Sequence, residues 1–326
     1  MKNVLLRSLC LAALITAGAN VADAAEGGSG FYLLGSKGSL AGILPPEGVF
    51  FTNDSYFYSG EISDSVKFPT IGGELAVGVE ADAFVNISTL LAVTPYEFLG
   101  GRLAFGLAVP YAHQDVGADV TFDLNGNKLF NDSLSDTDHA FGDPVLVGAI
   151  GWSSPLWHAT LFNTVNVPIG SWSEGALANA GFNRWAYDAT LATTYLDPST
   201  GFEFSFSPGI TFNGENLDTG YRTGTEFHVE FAAMQHFSEQ FALGIGGYHY
   251  DQLTGDSGTA PSDFKGRVSA IGPALNWNFQ LGALPVSFKA KYLHEFSTDN
   301  RTEGEAVFFQ LAIPLYVPGV AGSEID

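Results

Sequence analysis

The chain has 326 residues, with 13 Lys and Arg against 35 Asp and Glu and a formal net charge of −22, which argues against nucleic acid or anionic lipid as a charge-held partner. With 39 Gly, 27 Phe and 12 Tyr but only 15% charged residues, it is rich in strand and turn formers and long enough for one large closed sheet.

Lys2 and Arg7 flank and interrupt the start of an apolar stretch from Val4 to about Ala17, which gives way to small residues ending at Ala22-Asp23-Ala24. Residues 1–24 therefore read as a secretory signal peptide cut after Ala24. The stretch is about a dozen residues where a spanning helix needs ~20, and no later segment comes closer, so no transmembrane helix is expected. Cys10, the only cysteine, lies within it and lacks the small residues that precede a lipoprotein cysteine. Neither lipidation nor a disulfide is expected of the mature chain. Its charge balance, without Lys2, Arg7 and Asp23, is 11 against 34.

Residues 25–47 contain Phe31, Tyr32, Leu33, Leu34, Leu40, Ile43 and Leu44, punctuated by glycines at 35, 38 and 42 and ended by Pro45-Pro46. These apolar side chains need a surface to bury against. The expectation is a plug or gate inside a barrel lumen, with Phe31, Tyr32, Leu33, Leu34, Ile43 and Leu44 as its contact residues. The other reading is that the segment packs across the barrel mouth or adds a strand.

Residues 48–316 alternate with a period of two. From Leu75 to Val93 every second residue is apolar or small except Thr89, while Glu74, Glu80, Asp82, Asn86 and Ser88 stand between them. Phe202, Phe204, Phe206, Ile210 and Phe212 alternate with Glu203, Ser205, Ser207, Thr211 and Asn213, as lipid outside and water inside select. With the other runs this predicts an all-β, antiparallel, up-and-down transmembrane barrel of about twelve strands. The predicted connections alternate long and short: Ser59–Gly72, His113–Gly142, Gly170–Asn183, Gly214–Gly224, Asp251–Phe264 and Ser297–Gly304 are long, and the rest are tight. That alternation is what extracellular loops and periplasmic turns produce, so both termini are placed in the periplasm and residues 317–326 form a short tail. A soluble β-sandwich is the competing fold, but its strands average five or six residues.

Charge on a lipid face costs ~2–4 kcal/mol at mid-bilayer, so the strand charges Glu80, Asp82, Arg102, Arg184, Asp188, Glu203, Glu226, His228, Glu230, Lys289, Lys291 and Glu295 are assigned to the lumen. They either stiffen a narrow barrel or form a constriction that selects permeants. The acidic run from His113 to Gly142 invites a calcium reading, but Lys128 stands where a calcium loop needs glycine and Leu134 where it needs glutamate. A solvated acidic loop is the better reading. His228, His236, His249 and His294 lie on strands among several serines and invite a hydrolase reading, but no serine sits in a Gly-x-Ser-x-Gly setting. No catalytic residue, metal or cofactor is expected.

One set of segments is distinctive together: Gly38 to Val49, Tyr221-Arg222-Thr223-Gly224, Gly247 to Gln252, Asp256-Ser257-Gly258, Ile271-Gly272-Pro273, Lys291-Tyr292, His294-Glu295-Phe296, Asn300-Arg301 and Gly304. It resembles the family named for the meta-pathway of phenol degradation, the MetA-like proteins, over nearly the whole mature chain. The resemblance implies an outer-membrane barrel linked to aromatic or other hydrophobic compounds, as an uptake channel. It carries no established binding or catalytic residues. The combined expectation is a monomeric barrel in the bacterial outer membrane, surrounded by its lipid and admitting a small hydrophobic permeant. The alternatives are a structural or adhesive surface barrel, and a membrane-embedded hydrolase.

Overall fold

The structure, a computed structural model, describes residues 30–62, 66–70, 73–124, 127–260 and 265–319. The signal-peptide reading and most of the expected tail lie outside them. Twelve strands form the wall: β1 Gly48–Glu61, β2 Gly73–Phe98, β3 Gly101–Leu124, β4 Val145–Ser153, β5 Trp157–Asn166, β6 Ala186–Asp197, β7 Phe202–Asn213, β8 Glu226–His236, β9 Phe241–Gln252, β10 Arg267–Leu281, β11 Leu284–Asp299 and β12 Glu303–Tyr316. Each pairs antiparallel with its chain neighbours. The ring closes because β1 pairs with β2 on one edge and with β12 on the other, so each of the twelve wall strands has a neighbour on both sides.

Val49 lies opposite Tyr316, so the strand system begins and ends at one rim. The tight turns at residues 99–100, 154–156, 198–201, 237–240 and 282–283 share that rim. Left-handed backbone makes three of them: Leu99 and Gly100 have φ of 52° and 73°, Gly201 has φ of 71° and Gly282 has φ of 65°. At the opposite end two expected loops prove to be sheet. Val66–Thr70 pairs with β2, and Asn127–Phe141 pairs with the far half of β3. The acidic loop expected from His113 is thus a hairpin. Val116, Ala118, Val120 and Phe122 alternate there with Asp115, Asp119 and Asp123, a strand period that the density of acids disguised. The connection after β11 is also shorter than expected, only residues 300–302, because Asn300 takes a left-handed φ of 50°.

Outward residues are apolar through the middle of the wall. Phe105, Leu107, Leu146, Leu191, Phe204, Phe206, Ile245 and Leu311 are all exposed. Aromatic contacts mark both borders. Trp157 meets Tyr195 at 5.0 Å and Trp277 meets Phe279 at 4.8 Å near the tight turns, while Tyr111 meets Phe141 at 5.4 Å towards the other end. Phe202 and Phe212 bracket ten residues of tilted strand, about 25 Å of height, which is the apolar band of an outer-membrane barrel. The protein is therefore an outer-membrane barrel.

On β2 the two faces are the reverse of those expected. Phe84 touches outward Phe57 at 4.9 Å and Leu90 is exposed, whereas Val93 packs inside against Leu44. The set Val85, Ile87, Thr89 and Leu91 therefore faces the lumen, and Asn86 and Ser88 face outward. A period of two separates two faces without saying which is inside. The outward amides pair with each other: Asn53 and Asn86 exchange two hydrogen bonds of 2.9 Å, and Ser88 and Ser55 each accept one more, at 3.1 and 3.0 Å. Glu80 and Asp82 consequently leave the lumen group. They line a recess on the outer face with Glu61, His294, Glu303 and Glu305, beyond the aromatic border.

Candidate functional site

Residues 30–47 lie inside the barrel and bond to strands around most of its circumference. Tyr32 stacks on His228 of β8 at 3.5 Å and donates to Glu230 at 2.7 Å. Glu203 of β7 accepts from Ser39 Oγ at 2.7 Å and from the Leu40 amide at 2.6 Å. Gly42 N donates to Thr194 of β6 at 2.9 Å, and Thr160 of β5 donates to Gly42 O at 3.0 Å. From the other side Lys289 donates to Ser39 O at 2.7 Å, and Lys291 donates to the carbonyls of Gly35 and Lys37. Arg102 of β3 donates to Pro45 O at 3.1 Å as the segment nears the rim.

Local sequence explains the path. Gly35 turns at φ 86° with no room for a Cβ, which would stand 2.6 Å from the Phe308 ring. A Cβ on Gly42 would stand 2.6 Å from the Thr194 amide, so only glycine lets the segment lie against the wall. Leu40 is held at φ 60°, a strained state costing roughly 1–2 kcal/mol, which the charge-assisted bond from its amide to Glu203 offsets. Leu33 and Leu34 pack against a cluster containing Tyr248, Tyr250, Leu293 and Phe308. Leu44 packs with Val93, Ala104 and Ala149, flanked by Phe50, Leu91 and Phe162. Phe31 and Ile43 are partly buried in the same segment.

The remaining lumen charges are paired among the wall strands. Asp188 contacts His228 Nε2 at 2.8 Å and accepts from Thr190 and Thr211 at 2.6 and 2.8 Å. Glu226 accepts from Tyr250 and Asn213 at 2.6 and 2.8 Å. Glu295 accepts from Tyr58, Tyr248 and the Gly304 amide. Arg184 is buried and donates to Asn213 Oδ1 at 3.3 Å. Two residues of the site were not anticipated, Ser39 and Lys37. The signal for Lys37 was there to read: it is the single positive charge of residues 25–47 and the single charge between Phe31 and Leu44. Its ammonium sits 4.0 Å from the centre of the Phe162 ring, a contact worth about 0.5–2 kcal/mol. Burial pulls that ammonium below its ordinary pKa, against the attraction of Glu230, Asp188 and Asp54.

The segment fills the lumen unevenly. Inward residues of β6 to β8 are closed off: Asp188, Thr190, Thr194, Glu203, Thr211, Glu226 and Glu230 are at most 1% exposed. Across from them Thr52, Asp54, Val85, Ile87, Thr89, Pro110, Val145 and Val147 of β1 to β4 are only partly buried. The packed half of the lumen is polar and the open half is mainly apolar. At the short-turn rim the open half ends on the Leu44 cluster.

Other chemistry finds less support. Among the described residues no group of three or more His, Cys, Asp or Glu could hold a metal ion. Asp136 accepts from the amides of Leu177 and Ala178, and Asp138 from that of Ala180, so these acids tie the hairpin to the next loop. His249 Nδ1 lies 2.8 Å from Ser269 Oγ on the outer face, but among the described residues no acid orients the ring, as a triad requires.

Residues 67–311 match the family described as the MetA-pathway of phenol degradation. The chain belongs to that family. Among solved structures, an outer membrane channel from Pseudomonas putida F1 is 13% identical, with a TM-score of 0.60 over 83% of this chain and 96% of that one. The likeness shows a shared fold. A Pseudomonas aeruginosa FadL homologue is 8% identical, with a TM-score of 0.40 over 81% and 89% of the two chains. The transport unit of the autotransporter AIDA-I from Escherichia coli is 12% identical, with a TM-score of 0.39 over 88% and 94%. No curated protein matches the sequence significantly.

Proposed function

We propose that this protein is a monomeric channel through which small hydrophobic or aromatic compounds cross the outer membrane passively, and that residues 30–47 are its gate. The observation that carries the reading is the two-sided lumen. Polar residues of β6 to β8 are buried in bonds to the segment and to one another, while Val85, Ile87, Val145 and Val147 present an apolar surface that is only partly covered. An apolar wall with few polar groups suits a permeant that sheds water on entry. The P. putida protein, whose fold this chain shares, is described as a channel, which supports the same reading.

The route is closed at the short-turn rim by Leu44 with Phe50, Leu91 and Phe162, so passage requires the segment to shift. A shift at that rim would release the Leu44 contacts and the Gly42 and Pro45 bonds, while Leu33 and Leu34 stay seated on the Tyr248 cluster. The test is uptake of benzyl alcohol by intact cells of a deletion strain carrying either the natural protein or Ile87→Asp. The natural protein should raise uptake, and the charged variant should assemble but restore little of it. Uptake unaffected by the natural protein would favour a non-transporting surface barrel.

A further inference from the structure

Lys37 spans the lumen. Its carbonyl accepts from Lys291 on β11, while its ammonium lies over Phe162 on β5. In a ring of twelve strands β11 and β5 stand diametrically opposite. The side chain thus lies as a bar across the interior, beside the open apolar half and above the Leu44 cluster. Among the described residues its ammonium has no carboxylate within ion-pair distance, and an aromatic face is its recorded contact. Lys289 and Lys291 on β11 donate to backbone carbonyls of the segment, and among the described residues neither has a carboxylate within ion-pair distance. Glu230, Asp188 and Asp54 are the acids nearby, each taken up by other donors: Tyr32 on Glu230, Thr190 and Thr211 on Asp188, and Gln310 on Asp54 at 2.7 Å.

We propose that Lys37 and Phe162 form a selectivity site for small aromatic anions, such as ring carboxylates. An ammonium resting on a ring exchanges that weak contact for a charge-assisted bond to a carboxylate, and the freed Phe162 face takes the permeant's ring in offset stacking. Binding moves the bar away from β5, so the correct permeant clears its own path. The apolar wall of β2 and β4 accepts the rest of the ring. Carboxylates at the long-loop end disfavour anions at a distance, but in physiological salt that influence fades beyond ~8 Å, whereas contact at Lys37 is unscreened.

This inference rests on the channel reading, and one experiment separates the two. Uptake of radiolabelled benzoate and benzyl alcohol is measured in intact deletion-strain cells producing the natural protein, Lys37→Met or Lys37→Arg, with folded barrel confirmed by heat-dependent gel mobility. Lys37→Met should lower protein-dependent benzoate uptake on the order of tenfold and leave benzyl alcohol uptake equal or higher. Lys37→Arg, which keeps the charge, should retain most benzoate uptake. If Lys37→Met changes both compounds alike or neither, Lys37 does not select, and the inference fails. A natural protein that carries benzyl alcohol but not benzoate overturns it while leaving the channel intact. Carriage of neither compound overturns the channel reading and the inference together.

Discussion

Glu203 shows how one side chain fixes two elements at once. It lies on the wall at β7, accepts from Ser39, Leu40 and Ser205 at 2.6 to 2.8 Å, and contacts His236 Nε2 at 2.7 Å. Replacing Glu203 by Gln keeps the shape, removes the charge and gives one acceptor a donor's role. Each bond to a charged group is worth about 1.5–3 kcal/mol, so the variant should loosen the segment without dissolving the barrel. The expected result is unchanged heat-dependent gel mobility with faster protease cleavage between residues 30 and 47; unchanged cleavage would mean that Glu203 is not an anchor. At this scale the sequence was partly legible. Acids at Asp188, Glu203, Glu226 and Glu230 declared an interior by alternating with Phe and Ala, but their partners lie far along the chain, and no local pattern announces them. Ser39 carries no signal because a lone polar residue in a loop has no period to violate, whereas Lys37 is marked by its charge alone.

Elements were easiest to read where both faces differ strongly in type. On β7, phenylalanine outside and hydroxyls inside leave one assignment, and the structure has it. On β2, small apolar residues line one face and amides the other, and the usual rule inverts because the lumen beside it is apolar and its outward amides satisfy each other. A pair of substitutions tests this inversion. Leu90→Arg places a charge in lipid, costs ~2–4 kcal/mol near the midplane, and should impair assembly. Ile87→Arg points inward and should assemble. The opposite outcome would restore the expected faces and take away the apolar side of the lumen. Long hairpins are hard to read for a related reason: aspartates stand at every few positions from Asp115 to Asp138, and the apolar stripe of Val116, Ala118, Val120 and Phe122 is the only guide to a strand.

For the whole molecule, closure pairs each of the twelve wall strands on both sides and leaves a lumen too wide for wall side chains alone to fill, which residues 30–47 then occupy on one side. The ring was legible because its evidence is repeated twelve times, whereas the asymmetry of the filling depends on where a single segment folds back. The central claim is that this segment closes an otherwise passable barrel. Single-channel conductance in planar bilayers, natural protein against a variant lacking residues 30–44, tests it most directly. The account predicts an assembled variant with a clearly larger, steadily open conductance and a natural protein that conducts little. An assembled variant whose conductance equals that of the natural protein would contradict it.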